Sequence, residues 1–88
     1  MAEPQPRTVD DRLKWLARTQ NVDGSWEGVE MTAVALLAFV RAGHTTREGS
    51  YRRQVDKAAR WLRDRLTVLR GFDLLFAVRA LETLTIAS

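Results

Sequence analysis

The sequence predicts an all-α fold of four helices arranged as two helical hairpins. Apolar residues recur at spacings of three and four along four segments, which is the period of an α-helix. The stretches between these segments are rich in Gly, Asp, Ser and Thr, which are typical of turns. No alternating polar and apolar stretch is bounded by hairpin turns, so strands are not expected. A chain of 88 residues is one small domain at most.

The first helix is expected over residues 9–20. Thr8 can cap its start, and the acidic pair that follows lies in the first turn, where the helix dipole favours negative charge. Residues 1–7 contain both prolines and no apolar pattern, so we expect a flexible tail or linker there. The rest of the chain, residues 8–88, is expected to form a single helical domain.

The second helix is expected over residues 29–42. Its middle, MTAVALLAFV, is apolar on every side, and such a helix is normally buried on several sides. Gly43 is a suitable residue to end it. The loop HTTREGS follows, and its last residue, Ser50, can cap the next helix.

The third and fourth helices are expected over residues 51–66 and 72–87. One stripe of the third helix is apolar, whereas another face is basic and carries Arg53, Lys57 and Arg60 at helical spacing. The fourth helix is apolar around much of its circumference. The two pairs of helices would form one hairpin each.

The two hairpins, about 9–42 and 51–87, repeat each other. VDDRLKWL in the first helix matches VDKAARWL in the third at five of eight positions when Lys and Arg are equated, with an offset of 46 residues. AVALL in the second helix aligns with AVRAL in the fourth at an offset of 44 residues. Two helices repeating at about 40–47 residues are typical of helical-hairpin arrays.

The stretch QNVDGSWEG, between the first two helices, carries a recognisable pattern. With the preceding helix it places Trp15, Gln20, Gly24 and Trp26 at a spacing that resembles the QW motif of α/α-toroid proteins. These proteins include the terpenoid cyclases and prenyltransferase β-subunits. The segment also resembles the helical C-terminal tails of bacterial proteins with VIT and von Willebrand factor A domains. The resemblance implies a structural clasp, in which these four residues tie the end of the first helix to the start of the second.

The catalytic groups of the toroid enzymes are missing from the sequence. Class II terpenoid cyclases use an acidic DxDD cluster, whereas the VDD of residues 9–11 lacks the first Asp. The prenyltransferase zinc site needs Asp, Cys and His, but the chain has no Cys and a single His, His44, which we expect in a surface loop. Two hairpins are also too few to close a toroid around a cavity. We therefore expect a protein that is not an enzyme and holds no cofactor or metal.

The net charge of +3 raises the question of a nucleic-acid partner. Residues 47–70 contain eight basic and three acidic side chains. No recognition motif or set of stacking aromatics accompanies this charge, so a solvated helix face is the favoured interpretation. Nucleic-acid binding through Arg53, Lys57 and Arg60 is the weaker alternative.

The same composition favours a cytoplasmic location. There is no cysteine, and no apolar run reaches the ~18–20 residues that span a membrane. The opening MAEPQPRT has no apolar segment typical of a signal peptide.

The surplus of apolar residues in the second and fourth helices predicts an interaction function. In repeat arrays such faces are covered by neighbouring units, so we expect a non-catalytic module that binds another protein or forms a homodimer. The candidate interface residues are Met31, Leu36, Phe39, Phe72, Leu75, Phe76 and Leu84. The alternative is a groove between the same helices for an isoprenoid or other lipid, as the resemblance to cyclases suggests.

Overall fold

The all-α prediction is confirmed. The structure, a computed structural model, describes residues 8–88, and these form α1 (Val9–Thr19), α2 (Gly28–Arg41), α3 (Arg52–Arg65) and α4 (Gly71–Ala87). Each helix begins and ends within one residue of its expected position. The predicted tail, residues 1–7, lies outside the described residues.

Two of the predicted helix caps are confirmed. The Thr8 hydroxyl oxygen accepts a hydrogen bond from the backbone N–H of Asp11 at 3.1 Å, which satisfies one free donor at the start of α1. Beyond α2, Gly43 has a φ of +92°, which favours glycine because it lacks a Cβ. The N–H groups of Gly43 and His44 donate back to carbonyls in the last turn of α2, at 3.0 and 2.9 Å, and so end the helix.

The start of α3 differs from the prediction. Ser50 does not cap this helix; the N-cap residue is Tyr51, and its side chain makes no capping hydrogen bond. The Ser50 backbone N–H instead donates to Nδ1 of His44 at 3.2 Å. The imidazole also packs edge-on against the Tyr51 ring, with 4.8 Å between ring centroids. His44 therefore organises the loop before α3 rather than lying free on its surface.

Helix α2 is the centre of the fold, and it contacts the other three helices. Its most extensive contact is with α4, and both helices fully bury small residues, such as Ala33 and Ala80, which permit close packing. One continuous apolar core joins all four helices. Its largest fully buried side chains are Phe39, Leu13, Leu36, Leu62, Val55 and Thr32. Most of the apolar circumference of α2 is thus explained by packing within the chain, with Val34, at 49% exposed, as an exception.

Helix α4 buries only one face. Ala77, Ala80 and Leu84 point into the core, whereas Leu75 and Ile86 are among its exposed residues. The two most apolar helices therefore have different environments, since α2 is mostly enclosed and α4 is half open to solvent.

Candidate functional site

The α1–α2 loop, residues 20–27, is tied to α1 by Trp26. This side chain is 5% exposed, and its ring packs against Phe39 with 6.2 Å between centroids. The indole N–H donates to the backbone carbonyl of Leu16 at 3.0 Å. Leu16 lies in the last turn of α1, where carbonyls have no partner within the helix. Trp26 thereby caps α1 from outside and fills the core beside it.

Trp26 is also fixed to the start of α2. Its backbone N–H donates to the Thr32 hydroxyl at 3.0 Å, and that hydroxyl donates to the Gly28 carbonyl at 2.7 Å. Thr32 is fully buried, so these bonds satisfy a polar group inside the core. Trp26 thus connects the end of α1 with the start of α2.

Gln20 and Gly24 connect the same loop to α3. The Gln20 side-chain amide donates to the carbonyl of Gly24 at 2.9 Å and to that of Gln54, in the first turn of α3, at 3.0 Å. Gly24 is buried with a φ of +98°, and a Cβ on it would lie 2.5 Å from the Lys57 carbonyl oxygen. The loop backbone therefore lies directly on the α3 backbone, a contact that only glycine permits.

A tight turn inside the loop is organised by Asp23. Its carboxylate accepts hydrogen bonds from the Ser25 hydroxyl at 2.6 Å and from the Ser25 backbone N–H at 3.0 Å. These two bonds are the main reason that the pKa of Asp23 lies below its ordinary value of 3.8, with smaller contributions from the Trp61 indole N–H and the Arg65 guanidinium. The Trp61 contribution is weak, since its indole nitrogen makes no hydrogen bond of standard geometry in residues 8–88.

This lowered pKa predicts a pH-dependent contribution to stability. The ionised Asp23 carboxylate stabilises the fold above its unfolded-state pKa, and the contribution is lost as the pH falls through the lower folded-state pKa. We expect Asp23→Ala to lower the Tm near neutral pH, and we expect the difference from the wild type to shrink below a pH of about 3.8. Thermal unfolding followed by circular dichroism between about pH 2 and 7 measures this. An equal difference at both ends of that range would contradict it.

Trp15 does not belong to the clasp that the structure shows. Its side chain is 40% exposed and makes none of the loop hydrogen bonds found among residues 8–88. Only its backbone carbonyl takes part, as the acceptor for the Thr19 hydroxyl at 2.9 Å. The expected clasp is therefore corrected to Gln20, Gly24 and Trp26, and it reaches α3 as well as α2.

The predicted interface residues divide by burial. Leu36, Phe39 and Leu84 are buried in the core, so they cannot contact a partner, and their assignment to the interface is wrong. Met31 and Phe76 are half-buried at the edge of the core. Phe72 and Leu75 are 75% and 62% exposed.

Phe72 and Phe76 also lie together on α4, with 6.4 Å between their stacked rings. The exposed apolar residues among the candidates are therefore all on α4. The sequence pattern of α2 did not distinguish a helix buried by its own chain from one awaiting a partner.

The three residues of the predicted basic face, Arg53, Lys57 and Arg60, are exposed on α3. Arg60 is engaged by Asp56, with 3.0 Å between its Nε and the carboxylate. Near this face, the Arg65 guanidinium lies 3.8 Å from the Trp61 ring centroid. Two basic side chains of α3, Arg60 and Arg65, thus contact residues of the same helix.

A shallow groove runs along α4 beside the exposed side chains. It is lined by Leu66, Val78, Leu81, Glu82, Thr85 and Ile86. The lining is mostly apolar, and the groove is open to solvent. Within residues 8–88 no three His, Asp or Glu side chains are grouped to hold a metal ion. Across the same residues, no helix combines the length and apolar character needed to cross a membrane.

Comparison with protein family models, with curated proteins and with solved structures finds no match to this chain. The resemblance to α/α-toroid hairpins and to the tails of VIT-domain proteins therefore stays a prediction.

Three contributions to the α1–α2 loop and to the exposed face of α4 were not predicted from the sequence. Thr32 stands out only as the single hydroxyl within an apolar helix, four residues after Gly28, a spacing at which a hydroxyl can bond to a helix carbonyl. Lys57 contacts the loop through its backbone, which no side-chain pattern reveals. Ile86 is the most exposed apolar residue of α4, and its position becomes evident only once the buried face is known.

Proposed function

We propose that this chain is a non-catalytic interaction module that self-associates through the exposed face of α4. The observation that supports this most directly is the exposure of Phe72, Leu75 and Ile86 on one helix. Exposed apolar residues grouped on one side of a helix of a small protein are typical of contact sites. Helix α2, expected to share this role, is used by the core instead.

The loop with the most distinctive sequence has a structural role in this proposal. Gln20 and Trp26 donate hydrogen bonds to backbone carbonyls of α3 and α1, and Gly24 lets the loop lie against the α3 backbone, so the three residues hold the fold together. The side chains of Gln20 and Trp26 are occupied within the chain, so this proposal assigns the contact function to the exposed face of α4.

Replacing Leu75 with Gln tests this function. We expect the wild type to self-associate in sedimentation equilibrium as its concentration approaches the millimolar range. We expect Leu75→Gln to weaken the association at least tenfold, since burying a leucine contributes about 1.5–3 kcal/mol. Val22→Gln is the matched control, because Val22 is an exposed apolar residue of the α1–α2 loop, which packs on α3. A wild type that stays monomeric throughout this range would overturn the proposal.

The groove beside α4 supports the lipid alternative, since most of its lining is apolar. A binding site for an isoprenoid would be expected to bury most of its ligand, however, and this groove is shallow and has the charged residue Glu82 in its lining. We therefore rank it second. Specific thermal stabilisation by an isoprenoid alcohol such as farnesol would favour it over self-association.

Nucleic-acid binding through Arg53, Lys57 and Arg60 remains the weaker alternative. The ion pair of Arg60 with Asp56 reduces the charge available to phosphates. A filter-binding assay without salt-dependent retention would remove this alternative.

A further inference from the structure

The exposed side of α4 carries an ordered stripe of five side chains. Phe72, Leu75, Arg79, Glu82 and Ile86 are spaced by three, four, three and four residues, which places them along one side of a helix. This side lies roughly opposite the buried Ala77, Ala80 and Leu84. We call these five residues the α4 stripe.

The two charges of the α4 stripe lie in its middle, with apolar residues on both sides. Within residues 8–88 the one ion pair is that of Asp56 and Arg60, so Arg79 and Glu82 have no ionic partner there. Two charges of opposite sign are thus presented to solvent at the centre of an otherwise apolar stripe. Such an arrangement selects partners by charge as well as by apolar contact.

Four residues of the stripe, Leu75, Arg79, Glu82 and Ile86, complement themselves when their order is reversed. If a second α4 runs antiparallel, with the midpoint of residues 80 and 81 on a two-fold axis, Arg79 faces the partner's Glu82 and Leu75 faces the partner's Ile86. In a parallel pair in register, Arg79 would face Arg79 and Glu82 would face Glu82, which is repulsive. A two-fold interface uses the same patch on both copies and therefore requires this self-complementarity.

We propose that the occupant of the α4 stripe is a second copy of this chain, docked antiparallel about a two-fold axis. Leu75 then packs on the partner's Ile86 at two symmetric places, and Arg79 pairs with the partner's Glu82 between them. Phe72 faces none of the other four residues of the partner's stripe, so this register does not depend on it. The arrangement rests on the proposed function, and it adds the identity of the partner and the register of the contact.

The size of this contact implies a weak dimer. Two single helices bury less surface than the ~1,200–2,000 Å² of a standard interface, so a Kd in the micromolar range or weaker is expected. The partner would also cover the groove next to the stripe, because Glu82 and Ile86 belong to both.

A charge exchange tests the register. Arg79→Glu places Glu against Glu at two symmetric positions, and Glu82→Arg places Arg against Arg. We expect each single variant to weaken dimerisation about tenfold or more at low salt, since two attractive pairs become repulsive. The double variant Arg79→Glu/Glu82→Arg restores opposite charges and should recover the wild-type Kd within about threefold.

The control for this series is Arg53→Glu, which changes the net charge as Arg79→Glu does but lies on α3. It should leave the Kd nearly unchanged. Circular dichroism checks that every variant is folded, which we expect because each substituted side chain is solvent-exposed. Single variants without effect, or a double variant that stays as weak as the singles, would overturn the antiparallel register.

Cross-linking between introduced cysteines gives an independent measurement of the register. The chain has no cysteine of its own, so only the introduced thiols react. Leu75→Cys and Ile86→Cys variants of different mass are mixed and treated with a short bifunctional maleimide. The proposed dimer yields mainly the mixed 75–86 product, whereas a parallel dimer yields 75–75 and 86–86 products.

A wild type that never self-associates refutes the proposed function. A dimer that Leu75→Gln dissociates, but that fails both the charge exchange and this cross-link, refutes only the arrangement.

Discussion

Replacing Gly24 with alanine is expected to destabilise the fold by about 2–5 kcal/mol. The left-handed backbone at Gly24 contributes about 1–2 kcal/mol of strain once a Cβ is present. The new methyl group would lie 2.5 Å from the Lys57 carbonyl oxygen, and such overpacking adds about 1–3 kcal/mol. Small domains have a free energy of unfolding near the low end of about 5–15 kcal/mol, so much of the stability would be lost.

Gly28→Ala separates these two causes. Gly28 also has a positive φ, +78°, but a Cβ there would meet nothing within 4 Å. We expect a loss of only about 1–2 kcal/mol, from backbone strain alone. Chemical denaturation of both variants measures the difference. Equal losses would mean that the loop does not lie on the α3 backbone as the structure shows.

The second large loss of stability is expected from truncating the Trp26 side chain. Trp26→Ala removes a buried ring from the core and should cost about 3–5 kcal/mol. It also removes the donor to the Leu16 carbonyl in the last turn of α1. Thermal or denaturant unfolding measures the loss, and self-association through α4 is expected to persist under conditions where the variant stays folded.

Two further variants make this prediction specific. Trp15→Ala should cost no more than about 1 kcal/mol, because Trp15 is 40% exposed. Trp26→Phe keeps most of the apolar volume but loses the indole donor, so about 1–2 kcal/mol is expected. The loss is expected at the lower end of this range if the Thr19 hydroxyl, 3.3 Å from the Leu16 carbonyl oxygen, replaces the indole as its hydrogen-bond donor. If Trp26→Ala left stability unchanged but abolished binding, Trp26 would belong to a binding site instead of to the clasp.

The clasp illustrates where sequence reasoning succeeds and where it stops. The spacing of Gln20, Gly24 and Trp26 predicted a loop that ties helices together, and each residue makes such a contact. The α3 partners, Gln54 and Lys57, were not predicted, because they contribute backbone atoms that any residue type would supply. Trp15 was included on spacing alone, and its exposure follows from where α1 lies against α2.

The predicted interface residues also show what the sequence could not determine. An apolar helix must be buried, but its sequence does not say whether its own chain or a partner buries it. Phe39 of α2 and Phe72 of α4 are the same residue type in similarly apolar helices, yet one is fully buried and the other 75% exposed. Only the position of α2 between three other helices distinguishes them.

The sequence by itself determined the helices of this protein, their ends and the turns between them. These features depend on interactions within a few residues, such as the Thr8 cap, the period of apolar residues and the left-handed Gly43. The tertiary structure decided that most of α2 is enclosed, that Gly24 lies on α3, and which side of α4 faces solvent. These outcomes depend on contacts between residues far apart in the chain, and local periodicity carries no information about which apolar face meets which.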